Sequence, residues 1–285
     1  MPELPEVEVI RRYLVPVLLG RVIEQVWVRS APPVFLTPPR ALARRLLGER
    51  IVEVERRGKY LLFLLGTGPR LLVHLGMTGQ LRLVADEVRR ASPSPRGGPI
   101  EAMLDRHVHL KLRLSGTGLA LFYRDPRRFG RLQWLDAQAK SRRLDRLGPE
   151  ALTVSARQLQ GAARGRRLAV KSFLLDQHAL AGVGNIYADE ALFLAKILPT
   201  RGVQTLNDAE WRKLSNSLCK VLTAAIQRGG SSIDDYVRPD GTSGRYQTRH
   251  RVYGRTGRPC PSCRAPVDLV RIGQRSAHFC SRCQR

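Results

Sequence analysis

No stretch of this 285-residue chain approaches the 18 consecutive apolar residues that suggest a membrane-spanning helix. The first ten residues, MPELPEVEVI, hold three glutamates and two prolines where a signal peptide carries a basic and then an apolar run. Both absences point to a cytosolic protein. Cysteine is scarce, with five in all, which excludes a disulfide framework and leaves metal binding or an odd structural thiol. Acidic residues are few as well: 24 against 49 basic ones, for a formal charge of +25. Lysine is scarcer still, 7 against 42 arginines. A GC-rich genome accounts for that preference, but not for the excess of positive over negative charge. Such an excess suits a polyanion, because each neutralised phosphate releases condensed counterions. Without an anchor for a membrane, nucleic acid is the first candidate.

What is present is enough for a folded protein of two domains and a small module: 43% of residues are hydrophobic. Pro5 at a helix start, apolar residues at Val7, Ile10, Leu14, Val17 and Leu18, and Gly20 predict an N-terminal helix, which Pro16 should kink or shorten. From Arg21 to Leu135 short β-rich runs follow one another: Val22–Val28, Ile51–Glu55, Tyr60–Leu65, Arg70–Leu75, Gln80–Val84, His109–Leu114 and Leu119–Tyr123. They predict a β-sandwich. Ala85–Asp105, with its SPSPRGGP, reads as a mobile surface loop. From Arg142 the pattern turns helical. Its clearest helix starts at Asn207, with Glu210 as capping-box partner, an apolar stripe of Leu214, Leu218, Val221 and Ala225, and Gly229-Gly230 as stop. Cys219 on that helix reads as a small buried hydrophobe. The segment SSIDDYVRPDGTSGRYQTRH has no periodicity and reads as a functional loop. The fold class is thus α+β and multidomain. The divisions are 1–135, an N-terminal β-sandwich with its helix; 136–240, helical; and 245–285, a short module that needs a staple.

The staple is Cys260-x-x-Cys263 and Cys280-x-x-Cys283, separated by 16 residues, the spacing of a tetrahedral zinc site. Two separate redox pairs are the alternative. Four thiolates leave no open coordination position, so one structural Zn2+ is expected, not a catalytic one. The hairpin between the pairs carries Arg271, Arg275 and His278 and can present positive charge to DNA.

Pro2 is the residue with distinctive chemistry. A small residue at position 2 permits removal of Met1, leaving a secondary amine. An α-amino group titrates near about 7.7–8.0, so it is a nucleophile at neutral pH. Attack on an aldehyde-like carbon gives an iminium, an electron sink that makes a neighbouring C–H acidic. Glu3 and Glu6 lie close by as acid or base. The plain alternative is an exposed chain start with no role.

Seven strings decide between these readings: MPELPEVE, RRGKYLL at 56–62, HLGMTG at 74–79, DPRRFG at 125–130, LLDQHALAGVGNIYADEALF at 174–193, YQTRHRVYGR at 246–255 and the four-cysteine ribbon. In this order, from the first residue to the last, the chain resembles the formamidopyrimidine-DNA glycosylases. The resemblance implies base-excision repair: removal of oxidised purines from double-stranded DNA, then strand nicking by β,δ-elimination. It implies Pro2 as the nucleophile at C1′, Glu3 for the proton transfers, Lys59 for β-elimination, and Arg275 for the phosphates flanking the lesion and δ-elimination. Met77, Arg127 and Phe129 would fill the space left by the flipped base. Without the resemblance, Met77 and Phe129 read as core residues. Asn185, His107 and Arg166 would contact DNA, the amides at the Asn185 helix start being suited to an anion. A helix–two-turns–helix is expected over 171–185, and the family implies a monomer. Two departures stand out: the long 85–105 segment, and Asp234 where many members carry Lys or Arg in the lesion-recognition loop.

Two other functions compete. An endonuclease VIII-like activity on oxidised pyrimidines shares Pro2 and Glu3, but that group usually begins Pro-Glu-Gly and lacks the pairing of HLGM with DPRRFG. A catalytically inactive damaged-DNA-binding protein would not need Pro2, Glu3, Lys59 and Arg275 together.

Overall fold

The computed structural model describes residues 1–29, 33–85, 106–233 and 235–285. Most of the 85–105 segment and Asp234, both singled out above, lie outside the described residues. The chain forms two compact units. The first comprises 1–2, 6–141 and 231–244; the second comprises 3–5, 142–230 and 245–285.

The first unit begins with helix α1, Leu4–Leu18, and continues with strand β1, Ile23–Val28, and helix α2, Pro39–Leu46. Seven strands follow: β2 Ile51–Arg57, β3 Tyr60–Leu65, β4 Arg70–His74, β5 Gln80–Ala85, β6 Val108–Leu114, β7 Leu119–Arg124 and β8 Arg131–Leu135. They pair antiparallel in two four-stranded sheets, β1-β6-β7-β5 and β2-β3-β4-β8. The inner faces share one core with the apolar stripe of α1, in which Val7, Ile10, Leu14 and Leu18 are at most 1% exposed. Period-two alternation selects the strand faces: Leu110, Leu112 and Leu114 of β6 point into this core, while Lys111 lies over the ring of Phe122 on the other face. Pro16 does not end α1, which runs on to Leu18. So near the helix end a proline forfeits little of the hydrogen-bond ladder.

Residues 231–244 group with this unit. Tyr236 is 6% exposed in the sandwich core, Leu83 N–H donates to Pro239 O at 3.1 Å, and Ser231 N–H donates to Glu6 Oε1 at 2.8 Å.

The second unit is helical: α3 Arg142–Asp145, α4 Ala156–Ala163, α5 Val170–Leu175, α6 Asn185–Ala195 and α7 Asp208–Gln227. The Asn207–Glu210 capping box is present at the start of α7. Helix α6 is buried on nearly every side, so it has no solvent face and acts as the axis of the unit. Strands β9, Asp268–Ile272, and β10, Arg275–Phe279, form a two-stranded hairpin. Its small core of Val252, Cys260, Val267 and Cys280 clusters with Phe193 of α6. Cys219 is exposed, contrary to the sequence reading. It follows Leu218 directly and so stands about 100° around the helix from the buried stripe.

Candidate active site

Glu3 is buried at 3% exposure, and its carboxylate occupies the N-terminus of α6. Gly184 N–H donates to Oε2 at 2.8 Å, Ile186 N–H to Oε1 at 3.0 Å, and Tyr187 N–H to Oε2 at 3.5 Å. The helix has no side-chain cap of its own, since Gly184 holds that position. Glu3 therefore supplies the missing acceptors from 181 residues away, where the helix dipole favours negative charge. The anion expected at this helix start is thus Glu3; these three amides are already taken. Glycine is required here: a Cβ on Gly184 would lie 2.3 Å from Glu3 Cδ, and one on Gly182, at φ +102°, 2.5 Å from Leu4 Cδ1. Asn185 is the first residue of α6, and its side-chain Oδ1 is buried without a hydrogen-bond partner among the described residues.

In the first unit Pro2 is buried beneath the exposed Met1. Lys59 lies in the two-residue connection Gly58-Lys59 of the β2–β3 hairpin, whose last pair is Arg57 with Tyr60. Gly58 adopts φ +56°, which suits the first position of such a turn. Lys59 is only 7% exposed. The base of the hairpin is tied to α1: Arg56 Nε donates to Glu8 Oε2 at 3.1 Å and Arg56 Nη1 donates to Gly58 O at 3.1 Å. Arg11 and Arg12 bind the same carboxylate at 2.8–2.9 Å. Burial alone would push Glu8 up, but the hydrogen bonds from Arg11, Arg12 and Arg56 outweigh it and hold its pKa at about 2.

Buried Asp125 organises the two loops HLGMTG and DPRRFG. Thr78 Oγ1 donates to Oδ1 at 2.5 Å, Gly130 N–H donates to Oδ2 at 2.7 Å, and Arg127 N–H reaches Thr78 Oγ1 at 3.1 Å. This fastening leaves Phe129 47% exposed with the Arg127 guanidinium 4.9 Å from its ring centroid, while Met77 is half-buried. Phe129 is not a core residue. His107 is half-buried, and its carbonyl accepts Asp125 N–H at 2.9 Å. Arg166 is engaged inside its own unit, in an ion pair with Asp176 at 2.6 Å.

The four cysteine sulfurs lie within 4.8 Å of one another, which fits a tetrahedral zinc held by Cys260, Cys263, Cys280 and Cys283. Arg275, the first residue of β10, is exposed beside the Gly273-Gln274 turn. Sequence reasoning missed what anchors this hairpin. Glu190 accepts the amides of Arg251, Val252 and Tyr253 at 2.9–3.0 Å, and Asp189 binds His278. Both acids were visible in NIYADEALF, but their partners are far away in sequence.

Family models cover the chain in the same order: the formamidopyrimidine-DNA glycosylase N-terminal domain over 1–132, its H2TH domain over 147–237, and the zinc finger found in FPG and IleRS over 257–285. The chain belongs to the formamidopyrimidine-DNA glycosylase family. A formamidopyrimidine-DNA glycosylase of Acidithiobacillus ferrooxidans is 43% identical over 287 residues, covering 100% of both chains. One of Pseudomonas aeruginosa is 42% identical over 290 residues with the same coverage. Among solved structures, the Thermus thermophilus protein superposes with a TM-score of 0.83 at 42% identity, over 99% of this chain and 98% of that one. A Lactococcus lactis member, solved with DNA containing Fapy-dG, gives 0.84 at 34% identity over 100% of each. The chain is accordingly a DNA glycosylase with abasic-site lyase activity, acting in base-excision repair. No helix among the described residues is long and apolar enough to cross a membrane.

Proposed function

We propose that this glycosylase removes oxidised purines from duplex DNA through a Schiff base on Pro2 and then cleaves the strand by β,δ-elimination. The N-terminal amine, freed of Met1, attacks C1′. Glu3 moves the protons that accompany loss of the base and opening of the sugar. Lys59 assists β-elimination, and Arg275 holds the phosphate that must leave. Met77, Arg127 and Phe129 occupy the space of the flipped nucleotide, with Asn185, His107 and Arg166 on the backbone. The enzyme acts as a cytoplasmic, nucleoid-associated monomer.

The observation that carries this reading is the holding of Glu3. A chain start without a role leaves an acid at position 3 in solvent, where it is fully hydrated. Here the carboxylate is buried and fixed by three backbone amides. Lactococcus lactis relatives solved with Fapy-dG DNA and with abasic-site DNA support the substrate. The wild-type Lactococcus lactis protein was also solved with DNA containing an oxidised pyrimidine, so that lesion class is the second reading.

Borohydride trapping tests the mechanism. Incubation with an 8-oxoguanine duplex and reductant yields a covalent adduct that Pro2→Gly abolishes; absence of the adduct in the unsubstituted protein overturns the mechanism. A thymine glycol duplex run in parallel ranks the two lesion classes.

A further inference from the structure

Lys171 of α5 is fully buried, at 0% exposure, as is its partner Asp189 of α6, with Nζ and Oδ1 2.6 Å apart. A buried ion pair is weak at stabilising a fold, because desolvation consumes the Coulombic gain and apolar residues pack as well. This pair has another role. Lys171 Nζ also donates to the carbonyl of Ser276, and Asp189 Oδ2 accepts both the backbone N–H of His278 at 2.9 Å and its Nδ1 at 3.1 Å.

Those two backbone groups are neighbours on one edge of β10. The hairpin is two-stranded, so β10 pairs with β9 on one side and its other edge has no strand partner among the described residues. On an antiparallel edge the free C=O and N–H alternate with the paired ones, and the groups of residues 276 and 278 point the same way. A parallel neighbour would satisfy them with the N–H and C=O of a single residue. Here the ammonium of Lys171 and the carboxylate of Asp189 take those two positions. The ion pair closes the strand edge in place of a third strand. Burial pushes Lys171 below the usual lysine range, while the charges of Asp189 and Glu3 pull it back up and Arg275 opposes them.

We propose that Asp189 is the positioning residue for Arg275: with Lys171 it fixes the backbone of β10 at residues 276 and 278, one and three residues from the arginine that grips the departing phosphate. The inference rests on the reading of Arg275 given above. Its chemical content is that a fork-shaped guanidinium on a fixed strand meets a phosphate already oriented, whereas on a loose strand it must be ordered at each turnover.

The test uses full-length, zinc-loaded protein and a duplex with a preformed abasic site. In Asp189→Asn, with one zinc retained, hydrogen exchange in the 270–279 segment rises and the ratio of δ- to β-elimination product falls by about tenfold, as for loss of an outer partner of a reacting group. The rate of borohydride trapping at Pro2 stays within about threefold, since that step does not use Arg275. Should Asp189→Asn fail to retain zinc, His278→Phe keeps the Lys171–Asp189 pair and the strand N–H; a smaller fall in the same ratio is then expected. An unchanged product ratio in a variant whose hairpin exchanges faster overturns the proposal, and so does unchanged exchange. Arg275→Ala separates the two readings: if it leaves the ratio untouched, the assignment of Arg275 fails, and hydrogen exchange alone decides whether Asp189 holds the strand.

Discussion

The carboxylate of Glu3 and the backbone of Gly184 fit together without room for a methyl group. The amide donates at 2.8 Å, and an added Cβ would stand 2.3 Å from Glu3 Cδ. Gly184 has φ −128°, an ordinary extended value, so alanine is excluded by space and not by backbone strain.

Gly184→Ala therefore displaces Glu3 and leaves most of the fold standing. The expected result is a loss of base-excision rate of about 100-fold or more, the size of losing one preorganised group at a reacting centre. Single-turnover kinetics beside a thermal melt check it. Wild-type rates in a folded Gly184→Ala protein would show that the seating of Glu3 does not matter.

Exposure makes Phe129→Ala a clean separation of binding from stability. At 47% exposure the ring contributes little to the core, so the melting free energy should change by at most about 0.5–1 kcal/mol. Affinity for lesion-containing duplex falls, while affinity for undamaged duplex, which is mostly phosphate contact, holds. Asp125→Ala is the contrasting case, since it strips a buried acceptor from Thr78 and Gly130 and destabilises the protein by several kcal/mol.

Glu8 gives a pH signature. Its pKa, about 2 in the folded chain against an ordinary 4.5, is depressed, so its contribution is complete above pH 4.5 and is lost as pH falls toward 2. The shift corresponds to about 3 kcal/mol. Thermal unfolding from pH 6 to pH 2.5 should show a steeper loss below 4.5 in the wild type than in Glu8→Gln, and parallel curves would contradict this origin. Because Arg56 links Glu8 to Gly58 O, the same variant should slow β-elimination at neutral pH.

Zinc removal has a countable readout. In the loaded protein Cys219 is exposed and four thiolates are bound, so a thiol reagent should react quickly with one cysteine, and with five after chelation. Strand cleavage should vanish with the metal and return on its re-addition, because the β9–β10 hairpin has too small a core to hold Arg275 alone. Full activity in protein with five reactive thiols would refute a structural role for the zinc.

What was legible in the sequence is local. The Asn207–Glu210 box, the strand runs and the two CxxC pairs are spacings within a few residues, and each element formed near its expected bounds. Helix α2 was missed because prolines crowd its start and only Leu42 and Leu46 are buried. Strand β8 was missed because it follows directly on the DPRRFG loop. The seating of Glu3 on Gly184, the ties of Asp189 to His278 and of Glu190 to Val252, and the bond from Arg56 to Glu8 each join residues at least 48 positions apart. Composition gives no hint of such partners; motif resemblance marked the reacting groups but not what holds them.

The dock for Glu3 also imposes a timetable on synthesis. The amides that hold its carboxylate are not all made until Tyr187 has left the ribosome, some 180 residues later. At ribosomal elongation speeds of about 5–20 residues per second that is a delay of roughly 10–40 s. During this interval the segment bearing Met1 and Pro2 is still undocked, and an aminopeptidase can trim it; afterwards Pro2 lies buried. The long sequence separation thus keeps the chain start free of its dock through most of translation.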